Sequence, residues 1–400
     1  MKIQHCRLCK GTLSEPKLKF PPTPLANEYL KDPTPQELFP LEVCVCTVCG
    51  HYQLNESVDP ARLFRYYQYV AGHSAVNKEH FVRYAGHVVE RFALPEGSAV
   101  LDIASNDGIL LQAFKERGMR VLGIDPAENL AALANANGIE TIPDFFTEAK
   151  ALEMRAHYGT FDLVTANNVF AHVPDLEDFA KGVQVMLAPR GVFSFEVSYF
   201  LDVCDKTLFD TIYHEHSSYH TLTPLVPFFK RLGMELFDVE HIENHGGSVR
   251  VFVTRAGARP VELQVAELLA KEQDMEGKVA RLGVKVEELG QALRAKLNEL
   301  KSAGKRIAIF GVPAKATTLI YALGIDERTI EFAVDDTTLK QGTYTPGKHI
   351  PILPSNAIYE RKPDVLLVLA WNFADSIMQK HAAFTGTWIV PIPELKEYGI

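Results

Sequence analysis

The chain has 400 residues, 47% of them hydrophobic, and a formal net charge of −9. That length exceeds one ordinary core and predicts two or three domains, while the acidic balance disfavours a large nucleic-acid footprint without excluding a local basic patch. The opening Met1-Lys2-Ile3-Gln4-His5-Cys6 lacks the apolar core of a signal peptide, and no uninterrupted apolar run is long enough to span a bilayer, so a soluble cytoplasmic protein is expected.

Five of the 6 cysteines lie near the N-terminus, which in an intracellular chain reads as metal ligation rather than disulfide bonding. Cys6-x-x-Cys9 and Cys46-x-x-Cys49 form two knuckles whose four thiolates can close a tetrahedral zinc shell. The long spacing between them demands a loop, assigned to Pro21-Pro22-Thr23-Pro24. Cys44 could supply a ligand in place of Cys46, and His5 and His51 are further candidates. A shell filled by protein leaves no place for substrate and should stabilise the fold without reacting. Cys204 stands alone and reads as a small packed apolar residue.

From Ser98 the pattern alternates strand and helix: Ala99–Ile103 as a buried strand, Gly108–Arg117 as a helix and Arg120–Ile124 as a second strand ending at Asp125. Ligands in such α/β sheets gather at the C-terminal strand edge, here the loop from Ala104 through Asn106 to Gly108. That loop lacks G-x-G-x-x-G, so a donor without phosphates, such as S-adenosylmethionine, fits better than NAD. Asp125, before Pro126, can accept from both ribose hydroxyls or cap the following helix, and Asp102 would orient the loop or the donor's amino-acid end. Asp144 and Phe145 could flank the adenine. Phe161 to Asp175 reads as a strand opening into a loop through Asn167, Asn168 and His172. Tyr66-Tyr67-x-Tyr69 should begin a helix that lids the cofactor, with Tyr69 available to line the donor pocket.

The run Tyr213-His214-Glu215-His216-Ser217-Ser218-Tyr219 packs two imidazoles, a carboxylate and two phenols into seven residues and suggests proton-transfer chemistry. The alternative is a polar hairpin or helix end whose histidines satisfy backbone groups. His214 is the weaker candidate, on the ground that consecutive residues in an extended segment point to opposite faces. Between Val261 and Ser302, Val279, Leu282, Val286, Leu289, Leu293, Leu297 and Leu300 recur every three or four positions, the pattern of an amphipathic helix that packs on its own chain or forms a dimer seam. A second α/β unit then follows: strand Arg306–Phe310, loop Gly311–Lys315, helix Ala316–Leu323, and strands Phe332–Val334 and Val365–Ala370. Its loop could set backbone N–H groups and Lys315 against a diphosphate.

Taken in order, these motifs resemble a family of sugar C-methyltransferases acting on nucleotide-linked 4-keto deoxysugars. The likeness rests on the two knuckles, Asp102-x-Ala104-Ser105-Asn106-Asp107-Gly108, Tyr213-His214-Glu215-His216, His245-Gly246-Gly247-Ser248-x-Arg250, the Gly304–Lys315 segment and Val334-Asp335-Asp336. The resemblance implies an α/β protein: a class I methyltransferase Rossmann-like domain (66–255) with an N-terminal zinc-binding module (1–65) and a second, C-terminal Rossmann-like domain (256–400) for the nucleotide-sugar. It implies His216 as the base, with Glu215, Tyr213, His172 and Tyr67 around the sugar, and His245, Ser248, Arg250 and Lys315 for substrate. S-adenosyl-L-methionine and Zn2+ are the implied cofactors, and a monomer or homodimer the implied form, without nucleic-acid or membrane partners. Ala104 stands where the family frequently has glycine, which the turn tolerates if φ stays negative. Val312-Pro313 and Ala316 also replace smaller residues. An O- or N-methyltransferase would have the same donor site and is the nearest rival, ahead of a zinc-knuckle nucleic-acid-binding protein; a nicotinamide-dependent dehydrogenase lacks its glycine fingerprint.

Overall fold

The computed structural model describes residues 1–399, apart from the side chains of Ala75 and His245. Its middle sheet has seven strands in the order Met234–Ile242, Ser248–Arg255, Leu187–Ser198, Phe161–Thr165, Ala99–Ile103, Arg120–Ile124 and Thr141–Ile142. The pairings are parallel except that Ser248–Arg255 runs antiparallel to both its neighbours. A doubly wound sheet with this reversed strand inserted near one edge is the class I methyltransferase architecture. Ala99–Ile103 is buried along its whole length, as a central strand covered by helices on both faces must be. Alternation sends Val100 into one core and Leu101 and Ile103 into the other. Asp102 is thereby left at the carboxyl end of the strand, beside the first crossover.

The N-terminal sheet has the order Leu18–Thr23, Phe39–Val45, Tyr52–Leu54, Ser218–Tyr219. Two sequence expectations change here. Most of the proline stretch read as a loop is strand Leu18–Thr23, tolerated because it is an edge strand whose register shifts between Phe20 and Thr23. The module also does not close within residues 1–65, because its fourth strand comes from the end of the tyrosine–histidine run.

The C-terminal sheet runs Ile352–Leu353, Phe332–Val334, Ile307–Phe310, Val365–Val368, Thr387–Val390, all parallel, with Lys396–Tyr398 antiparallel on the edge. The linker is two helices, Leu263–Lys271 and Met275–Ser302. The break has a cause: the buried Glu272 carboxylate accepts from the backbone N–H groups of Leu222 (2.6 Å) and Thr223 (2.8 Å), the opening residues of helix Leu222–Arg231. Chain direction is then reset at Asp274, which has φ +56° and caps the second helix through Gly277 N–H. Val279, Leu282, Val286, Leu289, Leu293 and Leu297 are buried in one core shared by the N-terminal sheet and the C-terminal sheet, so the apolar row packs on its own chain. Gly283 lets Leu18 approach, and Gly290 the carbonyl of Ala322. Among the described residues, no helix is long and apolar enough to cross a membrane.

Candidate active site

A continuous cleft of about 1370 Å³ runs between the carboxyl edges of the methyltransferase and C-terminal sheets. At the first edge, Asp102 accepts from the Thr165 hydroxyl (2.6 Å), and burial pushes its carboxyl up to about 7. Ala104 does not keep φ negative: it sits at +55°, held there by its N–H on the Ile124 carbonyl (2.7 Å). The turn therefore carries the left-handed strain that glycine would avoid. Asp125 accepts from Asn106 N–H (2.8 Å) and Ala127 N–H (2.7 Å), each oxygen keeping a further lone pair for a ribose hydroxyl. The N-cap of helix Glu128–Ala136 is Ala127, with Asp125 and Pro126 just before it. Gly108, at φ +79°, starts helix Ile109–Lys115.

Tyr66 to Val70 is not helical as expected. It is an irregular strap clasped onto the donor loop: Asn106 takes the Ala71 N–H (2.9 Å) and donates to the Tyr69 carbonyl (3.0 Å), and Asp107 takes the Gly72 N–H (3.0 Å). Tyr69, Asn106, Asn167, Asn168 and Phe145 line the cleft, Phe145 beneath the Arg65 guanidinium. The Asp144 carboxylate instead pairs with Lys150 (3.1 Å). Both polar atoms of the Asn167 amide and the Ser105 hydroxyl are buried without a partner in the chain, as groups satisfied by a polar ligand would be. This donor set fits S-adenosylmethionine.

The expectation of an extended run fails at Tyr213–His216, which is a turn closed by His216 N–H on the Tyr213 carbonyl (2.9 Å). Turn geometry brings the first and fourth side chains together: Tyr213 OH lies 3.0 Å from His216 Nε2. His216 Nδ1 lies 2.6 Å from the Thr211 carbonyl, which can only accept, so the proton sits on Nδ1 and Nε2 accepts from Tyr213. His172 lies beside it, ring centres 4.8 Å apart, and burial together with the neighbouring His216 keeps its pKa well below the ordinary value. Glu215 is buried and accepts from Asn27 (2.7 Å) and Tyr67 OH (3.0 Å); burial raises its carboxyl to about 7 against those two donors. His214 faces the other way, Nε2 donating to the Pro40 carbonyl (3.0 Å).

At the second edge Lys315, Lys340 and Lys380 line the cleft with Asp335 and Asp336. Asp335 repeats the geometry of Asp125, taking the N–H of Val312 in the first loop and of Thr337 two residues on, each at 2.8 Å. Sequence reasoning quoted Asp335 only as part of a pattern and missed Lys340 and Lys380. It also missed Asn27, 188 residues from its partner Glu215 and without any local signature. Arg250 turns away from the cleft into a buried network with Glu196 (2.6 Å) and Glu240 (2.8 Å), and Ser248 donates to the Asn244 carbonyl (3.0 Å). The side chain of His245 lies outside the described residues.

The sulfurs of Cys6, Cys9, Cys46 and Cys49 lie within 4.8 Å of one another, with Cys6–Cys49 at 3.6 Å and Cys9–Cys46 at 3.4 Å. Tetrahedral thiolates about 2.3 Å from zinc stand roughly 3.8 Å apart, so the cage fits the ion. Backbone N–H groups of Leu8, Gly11 and Val48 point at the sulfurs, stabilising thiolate charge. Cys44 lies outside the cage, and burial pushes its thiol up to about 11. His51 is also no ligand, being buried against His220. Cys204 is buried in the apolar core, its thiol pushed up to about 12.

The reversed-strand sheet, its carboxylate-lined donor loop and the four-cysteine cage define a class I methyltransferase that takes its methyl group from S-adenosylmethionine and carries a structural zinc. Three family descriptions tile the chain: a zinc binding domain over residues 6–64, a methyltransferase domain over 77–239 and a C-methyltransferase C-terminal domain over 243–393. The C-methyltransferase NovU of Streptomyces niveus is 38% identical over 403 residues, covering 98% of this chain and 96% of that protein. The chain belongs to this C-methyltransferase family. By contrast, a ubiquinone biosynthesis O-methyltransferase of Idiomarina loihiensis is 33% identical over only 101 residues, 25% of this chain. Among solved structures, the plantazolicin methyltransferase BpumL with SAH is similar over 45% of this chain and 88% of its own, at 12% identity and a TM-score of 0.37.

Proposed function

We propose that the protein methylates C-3 of a nucleoside-diphosphate-linked 4-keto-6-deoxysugar through an enolate formed by His216. The observation that carries this reading is the fixed tautomer of that imidazole. With Nδ1–H committed to the Thr211 carbonyl, the Nε2 lone pair faces Tyr213 at the cleft, where a carbon-bound proton can be delivered to it.

The proton next to the ketone moves to Nε2, and the electron pair left behind is delocalised onto the ketone oxygen. The Tyr213 hydroxyl, which turns from Nε2 to the ketone oxygen as substrate enters and so vacates the lone pair that takes the proton, and the neutral His172 imidazole are the donors for the developing oxyanion. Tyr67 stays protonated, its pKa raised well above the ordinary value mainly by burial, and its hydroxyl donates to Glu215. Bound S-adenosylmethionine supplies an electrophilic methyl group on sulfur. Lys315, Lys340 and Lys380, each lying beside a carboxylate (Asp210, Asp335 and Asp336), are the cleft cations available to the diphosphate. The apolar row of the linker helix is covered by its own chain and is not needed as a dimer seam.

The test is mass spectrometry of a panel of thymidine- and guanosine-diphosphate 4-keto sugars after incubation with S-adenosylmethionine. The reading expects one methyl gained by one member, located on carbon. Methyl transfer confined to hydroxyl or amine acceptors would refute it.

A further inference from the structure

The segment that fixes the tautomer of His216 is itself fixed by the C-terminal domain. Thr211, whose carbonyl holds Nδ1–H, follows Asp210 in the short helical turn Phe209–Thr211. Asp210 is fully buried; one of its oxygens accepts from Trp371 Nε1 at 2.6 Å and lies 3.3 Å from Lys315 Nζ. Lys315 lies over the Trp371 ring, its Nζ 4.3 Å from the ring centre. On the far side of the turn, Thr318 donates to the Ile212 carbonyl at 2.7 Å. Three side chains of the C-terminal domain thus grip the four residues that precede the catalytic turn.

We propose that Trp371 and Asp210 are positioning residues for the base, and that Lys315 couples them to the substrate's diphosphate. The inference rests on the proposed function and deepens it. Of the three, Lys315 lines the cleft, whereas Asp210 and Trp371 stand behind it. A diphosphate drawn to Lys315 takes over part of the ammonium's charge, leaving the Asp210 carboxylate, still fixed by the indole N–H, less neutralised. Its negative field then favours the imidazolium that forms when His216 accepts the carbon-bound proton. Binding energy from the non-reacting diphosphate is thereby expressed in the proton-transfer step rather than in affinity alone. The device favours sugars that carry a diphosphate over the same keto-sugar without one.

Steady-state methyl transfer by the zinc-loaded full-length enzyme tests this, using the keto-sugar nucleotide that the wild type turns over. Trp371→Phe keeps the ring beneath Lys315 but removes the N–H; Asp210→Asn keeps an oxygen for the indole but removes the charge. Each is expected to lower kcat by about ten-fold or more while leaving KM for the sugar nucleotide and the affinity for S-adenosylmethionine within about two-fold. Unchanged kcat in both, or a rise in KM alone, would overturn the positioning role while leaving the proposed function intact. Loss of zinc or of donor binding in both variants would show a purely structural role and also overturn it. A wild type that methylates no keto-sugar nucleotide would remove the proposed function and this inference together.

Discussion

Replacing Glu215 by glutamine should stabilise the protein while harming catalysis, and the stability gain should depend on pH. Burial raises this carboxyl from 4.5 to about 7 in the folded chain, despite the Asn27 and Tyr67 donors. Because the native state binds the proton more tightly than the unfolded chain, stability is lost as pH rises from 4.5 through 7. A shift of that size corresponds to roughly 3 kcal/mol at pH 8. Glu215→Gln removes this cost but loses part of one hydrogen bond, worth about 1–2 kcal/mol, because the new amide presents a donor to Asn27 or Tyr67. The net expectation is a gain of about 1–2 kcal/mol at pH 8 that disappears, or changes sign, near pH 5. Thermal unfolding of both proteins from pH 5 to 8.5, zinc-loaded and without other ligands, reads the difference directly. A difference that stays constant across that range would refute the assignment of a buried, proton-binding carboxyl at this position.

Other consequences are sharper for activity. His216→Asn should lower kcat by about 10²–10⁴-fold with S-adenosylmethionine affinity retained, measured by methyl transfer and calorimetric titration. Asp125→Asn should weaken donor binding by about ten-fold, as expected for impaired charged hydrogen bonds to ribose hydroxyls, with the sugar-nucleotide KM unaltered. Ala104→Gly should stabilise the donor loop by about 0.5–1 kcal/mol, because relief of the left-handed alanine exceeds the extra flexibility gained by the unfolded chain. Removing zinc should abolish turnover more completely than donor binding. Strand Ser218–Tyr219, which follows the catalytic turn, is anchored to Tyr52–Leu54 of the zinc module, whereas the donor loop springs from its own sheet.

Sequence periodicity was enough for the two α/β sheets because each central strand is a short, wholly buried run, apolar but for Asp102, followed by a glycine-containing turn: Ala99–Ile103 with Gly108, and Ile307–Phe310 with Gly311. The zinc ligands were legible because two-residue spacing places both sulfurs of a knuckle toward one ion. Contacts made across the chain were not legible. Asn27 reaches Glu215 only because the strand after the catalytic turn completes the N-terminal sheet, and no local pattern announces that pairing. Arg250 was expected at the substrate only because the family resemblance includes its motif. The fold places it instead on the reversed strand, opposite Glu196 and Glu240 in register, where burial demands charge pairing. The extended reading of residues 213–216 failed because polar, aromatic residues encode no periodicity that separates a strand from a turn. The His214 ring is instead held on the module's side by the Pro40 carbonyl.

The most direct measurement follows deuterium placed on the substrate carbon next to the ketone. With His216 as the base, the wild type should release that label to solvent during turnover, and His216→Asn should retain it while still binding S-adenosylmethionine. A methylated product formed at the wild-type rate by the variant, or a wild-type product that keeps the label because its methyl group sits on oxygen or nitrogen, would contradict the account.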